Sequence, residues 1–148
     1  MANHFYTNWV SRCLSTGLNA YSFKDGLRPF LLTDVNGKIE RSHFAAGTDE
    51  DALNQVREAV SKLSVDTRAY GIIWFQTLTA HGFSGPTILV EAACRSNQYA
   101  QVWARRFSAS GPLSKLLSSP TSIFFGVRLA NALSQPTCSQ DTKYGNQQ

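Results

Sequence analysis

Acidic side chains are nearly absent from the second half of this chain: between residues 67 and 148 only Glu91 and Asp141 carry a carboxylate. The same stretch holds seven basic side chains, Arg68, Arg95, Arg105, Arg106, Lys115, Arg128 and Lys143. Residues 1–66 are close to balanced, with eight acids against seven bases. Such asymmetry can mark an anionic partner: nucleic acid, phosphate or an acidic protein surface. The basic residues do not cluster into a stripe, and scattered charge of this kind is also how a sheet and its loops are kept soluble.

Cysteine is scarce too. Cys13, Cys94 and Cys138 are an odd number without close spacing, which excludes a disulfide framework and a zinc knuckle and fits a reducing compartment. No apolar run approaches the length that spans a bilayer; the longest, around Ile72–Phe75, is the size of a strand. The start, Met1-Ala2-Asn3-His4-Phe5-Tyr6, lacks a basic region followed by an apolar one and does not read as a secretory signal. The expectation is a soluble cytoplasmic protein without membrane contact, metal or cofactor. At 148 residues, 43% hydrophobic and 16% charged, the chain suits one domain with one core.

What is present is a succession of strand-like runs. Residues 69–77, 87–94 and 99–107 are rich in β-branched and aromatic side chains, and short segments of Gly, Pro, Asn and Ser separate them. That pattern predicts an antiparallel meander. With Asn97 at the centre of its second turn, Arg95 faces Tyr99. Ile88, Val90, Ala92 and Cys94 then share a face with Ala100, Val102, Ala104 and Arg106. The opposite face carries Glu91, Trp103, Arg105 and Phe107, with Glu91 and Arg105 placed to pair diagonally. Both faces are apolar enough to be covered by helices.

Before the meander, Thr7-Asn8 can cap a helix whose apolar positions are Trp9, Val10, Cys13, Leu14 and Leu18, and Gly17 weakens its last turn. Residues 30–35 and 38–44 flank Asn36-Gly37, the strongest short hairpin signal. Thr48 followed by Asp51 caps a second helix, with Asp49 and Glu50 opposing the positive end of its dipole. Leu53, Val56, Val60 and Leu63 form its apolar stripe; Gln55, Arg57, Glu58 and Lys62 lie on the other side. After Gly111-Pro112 a short helical piece is expected at 113–117, and residues 121–133 are assigned to a helix against the β-rich Ile-Phe-Phe run. From Gln135 onward the polar composition predicts a disordered tail, so the domain ends near 134.

The expected architecture is α+β: a five-stranded antiparallel sheet flanked by helices, in the order α-β-β-α-β-β-β-α. That element order resembles the roadblock/longin/profilin-like group of folds over about residues 5–134, and no residue motif of those families is matched. The resemblance implies a protein that works by binding other proteins and that can dimerise.

Candidate chemistry is sparse. Glu40-x-x-His43 has the spacing of a helical metal pair, but Asn36-Gly37 puts both residues on a strand, where positions three apart face opposite ways. Gly82-Phe83-Ser84-Gly85-Pro86 lacks the full G-x-S-x-G pattern and sits between antiparallel strands, so it reads as a turn from which Pro86 starts the next strand. Cys94 with His81 or His43 as base is a candidate thiol dyad; its alanine neighbours suggest a buried thiol instead. Trp74, Trp103, Tyr70, Tyr99 and Phe107 beside Arg105 and Arg106 would suit a stacking platform for single strands, yet no ribonucleoprotein motif accompanies them.

The reading is therefore a non-enzymatic protein-interaction or scaffolding module, capable of dimerising. Its candidate surface is Arg68, Glu91, Arg95, Trp103, Arg105 and Arg106, together with any unpaired sheet edge. The alternatives are an anion or nucleic-acid binder using the basic half, and a thiol-dependent enzyme built on Cys94.

Overall fold

Asn36 and Gly37 have φ of 55° and 90°, the left-handed pair that a two-residue type I′ turn requires. They join β1 (Phe30–Val35) to β2 (Lys38–His43) in the register Val35↔Lys38 to Phe30↔His43. The computed structural model describes residues 4–22, 25–80, 83–95, 99–106, 123–130 and 133. Around this hairpin stand α1 (His4–Ala20), α2 (Asp49–Val60), β3 (Thr67–Ala80), β4 (Phe83–Cys94), β5 (Tyr99–Arg106) and β6 (Ile123–Ala130). All six strands form one antiparallel sheet in the order β2-β1-β3-β4-β5-β6. The α+β class and the order α-β-β-α-β-β-β are as the sequence implies.

The two helices cover opposite faces. Trp9, Val10, Cys13, Leu14 and Leu18 of α1 pack on Phe30, Leu32, Ala69, Ile73, Ile88, Val90, Ala92 and Cys94. Val56 and Val60 of α2 pack on Leu31, Tyr70 and Ile72. Burial on both sides explains the apolar start of β1, Phe30-Leu31-Leu32; five of its six residues are buried, Thr33 and Asp34 among them. Each such aliphatic side chain contributes about 1.5–3 kcal/mol when withdrawn from water. Two glycines let α1 come close. A Cβ at Gly71 would collide with Cys13 Sγ, and one at Gly17 would lie 2.7 Å from Ile73 Cγ2. Gly17 therefore serves the helix–sheet contact that offsets its poor helix propensity.

Four expectations need correction. The helix over 121–133 is a strand: 123–130 pairs along β5 as β6, because β5 would otherwise present an unpaired ladder and the Ile-Phe-Phe run suits a pleated surface. The first helix begins at His4, with Thr7 and Asn8 inside it. β3 and β4 extend to the pair Ala80↔Phe83, so Pro86 is a paired position opposite Thr77.

The fourth correction concerns register. β4 and β5 pair as Val90↔Trp103, Glu91↔Val102 and Ala92↔Gln101, one residue from the register centred on Asn97. A one-residue slip moves every side chain of a strand to the other face. Trp103 and Arg105 therefore lie on the α1 side with Ile88, Val90 and Ala92, whereas Ala100, Val102 and Ala104 join Glu91 on the α2 side. The segments 113–117 and 135–148, with Cys138 in the latter, lie outside the described residues, as do His81, Asn97 and Phe107.

Candidate binding groove

Glu91 is the most buried acid of the described residues, 3% exposed in the C-terminal part of β4 between Ile72 and Val102. A carboxylate among aliphatic neighbours needs a cation. Arg57 of α2 supplies it: Nη1 donates to Glu91 Oε1 at 2.8 Å, and the guanidinium remains half exposed. Arg57 sits four residues after Leu53, at the margin of the apolar stripe rather than on the solvent side. Its partner could not be found without the sheet register. Glu91 thus faces α2 through a structural ion pair, and Arg105 is on the other face.

Arg95 is engaged as well. Nε and Nη2 donate to the Thr67 carbonyl at 3.1 and 2.8 Å, and Nη1 donates to the Leu133 carbonyl at 2.8 Å. The reason lies in β3. Pairing with β1 steps from Asp34↔Ala69 to Val35↔Thr67, which makes Arg68 the extra residue of a β-bulge. A bulge interrupts the ladder. The Arg95 guanidinium satisfies the buried Thr67 carbonyl, while the Arg95 amide donates to the Arg68 carbonyl at 2.9 Å.

Trp103 belongs to a polar chain beneath α1. Its Nε1 donates to Tyr6 Oη at 2.9 Å, and Tyr6 donates to Gln101 Oε1 at 2.8 Å. Burial pushes the Tyr6 hydroxyl up to about 12, opposed in part by the Trp103 hydrogen bond. Tyr70 and Trp74 lie on the α2 side, so the aromatics of the proposed stacking platform are divided between two faces. Arg106 lies opposite Thr87 at the end of β5.

The thiols are enclosed. Cys13 and Cys94 are both 0% exposed, and burial raises the Cys13 thiol well above its usual range. His43 stacks on Phe30 in edge strand β2, three strands from β4 and therefore roughly 14 Å away across the sheet. The structure does not bring Cys94 and His43 together. Glu40 and His43 are on β2, and the described residues contain no group of three or more metal-ligating side chains.

Open space occurs elsewhere, in a groove of about 720 Å³ between α1 and the β1–β2 hairpin. The wall on the helix side is a stripe at three- and four-residue spacing: Phe5, Asn8, Arg12, Thr16 and Asn19, with Ser11 and Ser15 beside it. Asp34, Gly37 and Ile39 of the hairpin line the other side. Arg68 closes one end, because the bulge turns it to the α1 side, where its guanidinium lies 4.8 Å from the centre of the Phe5 ring. That is cation–π distance. Asp34 is 5% exposed, and its Oδ1 accepts from the Gly37 amide at 2.7 Å. Among the described residues neither Arg12 nor Arg68 forms an ion pair. Of the six candidate surface residues named from the sequence, Arg68 alone lines this groove. Arg12 has no sequence signal beyond being the one arginine of α1.

Comparison with family models, curated proteins and solved structures returned no match.

Proposed function

We propose that the protein is a non-enzymatic binding module that receives an extended segment of a partner protein in the groove between α1 and the β1–β2 hairpin. The observation that carries this reading is the groove itself. It runs from Phe5 to Asn19 of α1, about 21 Å at 1.5 Å per helical residue. An extended chain of about six residues has that length. Its helix wall offers hydroxyl and amide groups, the partners that an extended backbone seeks.

The surface first suggested by the sequence is less suited to that role. Arg57 occupies Glu91, backbone carbonyls occupy Arg95, and Trp103 is hydrogen-bonded beneath α1. The edge strand β2 carries Lys38, Glu40 and Arg41, charges that discourage strand addition. The order α-β-β-α-β-β-β over residues 4–106 resembles that of roadblock, longin and profilin-like folds, which is in keeping with protein binding, although a sixth strand follows it here. Two buried thiols, Cys13 and Cys94, fit a reducing compartment such as the cytoplasm. No helix of the described residues is long and apolar enough to cross a membrane.

The test is to pan a display library of random linear peptides on the full chain and re-measure every enriched peptide against a Ser15→Trp variant. Ser15 is exposed on the groove wall, so the indole fills space without entering the core. Enriched peptides that lose about tenfold or more in affinity support the reading, a loss of about 1.4 kcal/mol. No enrichment, or enriched peptides that bind the variant equally, overturns it.

A further inference from the structure

Resting on that reading, we infer that the groove selects an acidic segment, with Arg12 and Arg68 as the pair of guanidiniums that receives its carboxylates. The charge of the site is the first argument. No residue of α1 is acidic, so the helix wall offers the partner no negative charge. The hairpin contributes the Asp34 carboxylate, one of whose oxygens is already taken by the Gly37 amide. Two guanidiniums against one partly engaged carboxylate leave the groove net positive.

Construction is the second argument. Arg68 is not a side chain that happens to lie at the surface. In a regular strand it would alternate with Ala69 and point to the α2 side. The bulge brings it to the α1 side instead, and bulges recur where a side chain must be re-aimed. Two further contacts fix it there: Phe5 lies under the guanidinium plane, and Arg95 holds the bulge carbonyls. Arg95 thus acts as a positioning residue, with its charge directed at the backbone while Arg68 is presented to the groove. A guanidinium held against an aromatic ring keeps its edge donors available for a carboxylate.

Three other described arginines are engaged by the protein itself. Arg57 and Arg95 make hydrogen bonds at 2.8 Å. Arg28 donates to the Ala46 carbonyl at 2.8 Å. Arg41 makes a cation–π contact like that of Arg68, over Phe30 at 5.0 Å, but at the sheet edge and not on the groove. Arg12 and Arg68 line the same open space, where each can pair with an incoming anion.

The experiment uses the full chain and three probes: a glutamate octapeptide, the glutamine octapeptide of the same length, and inorganic phosphate. Binding is followed by NMR at the arginine Nε–H resonances, in about 50 mM and about 200 mM salt, which spans the range where screening of exposed charges becomes strong. The glutamate peptide is expected to shift the Arg12 and Arg68 signals and leave that of Arg95 unmoved. It should bind at least about tenfold more tightly than the glutamine peptide and weaken at the higher salt. Arg12→Gln should remove most of the preference without changing the thermal midpoint, and Arg68→Gln should do the same while lowering the midpoint only by what its cation–π contact with Phe5 contributes. Arg12→Lys should retain more of the preference than Arg12→Gln. Equal binding of the two peptides overturns the acidic preference and leaves the peptide-binding reading to the display experiment. Phosphate that shifts the same two signals at an equal or lower concentration than the glutamate peptide overturns the peptide identity and assigns the pair to a free anion. No shift at either arginine with any probe overturns the inference outright.

Discussion

Arg57 Nη1 lies 2.8 Å from Glu91 Oε1, so a residue of α2 neutralises a carboxylate in the middle of the sheet. The contact ties α2 to the face of the meander that strand alternation gives Glu91.

Removing the cation should therefore cost more than removing the acid. Arg57→Ala leaves Glu91 charged and enclosed, and we expect a loss of about 1–3 kcal/mol, less than for a fully buried pair because Arg57 is half exposed. Glu91→Gln keeps the shape and removes the stranded charge, so it should cost less. In the double variant the costs should not add. Urea unfolding of the four proteins measures the coupling.

Arg95 clamps the bulge and is not a free surface charge. Arg95→Ala should destabilise the fold by about 1–3 kcal/mol, since the buried Thr67 carbonyl loses a charge-assisted donor. Arg95→Lys should recover little, because one ammonium cannot reproduce a planar group bridging the Thr67 and Leu133 carbonyls. The NMR signal of the Arg68 Nε–H should move in both variants, which a merely solubilising arginine would not cause.

A methyl group at position 71 has no room beside Cys13 Sγ. Gly71→Ala should cost about 1–3 kcal/mol as α1 is forced away from the sheet. Adding Cys13→Ala removes the obstructing sulfur and should restore part of that loss, even though Cys13→Ala alone leaves a small cavity. Thermal unfolding of both single variants and the double variant tests the pairing.

Tyr6 links the fold to alkaline pH. Its folded pKa of about 12 lies above the ordinary 10.0, so the neutral hydroxyl is favoured by folding. The stabilisation is complete below pH 10 and is lost as pH rises from 10 towards 12. In Tyr6→Phe that alkaline decline should flatten. Ultraviolet titration of the native protein should show a tyrosine ionisation near 12 that is lost in the variant.

How much of this was legible in the sequence depends on which physical signal each feature leaves. Asn36-Gly37 and Thr48 with Asp51 are local signals, set by φ values and by hydrogen bonds within a few residues, and both appear as read. The α+β class follows from periodicity summed over long runs. The β4–β5 register does not, because Asn97 and Gln98 allow turns that differ by one residue, and that single step moves Trp103 and Arg105 away from Glu91. β6 is non-local in a different sense: residues 123–130 fit helix or strand by pattern, and the open edge of β5 decides. The groove was the least legible. Arg12 is one exposed residue in a helix, and Arg68 reaches it only through a bulge that no short motif announces.

The central claim is that partners enter beside α1 and not on the meander. The most direct measurement is an amide chemical-shift map of the ¹⁵N-labelled chain with the tightest peptide from the display selection. The account predicts shifts along Asn8, Arg12, Thr16 and Asn19 and in the hairpin at Asp34, Gly37 and Ile39, with Glu91, Val102 and Ala104 unmoved. Shifts concentrated at Glu91, Val102 and Ala104, with α1 and the hairpin silent, would contradict it.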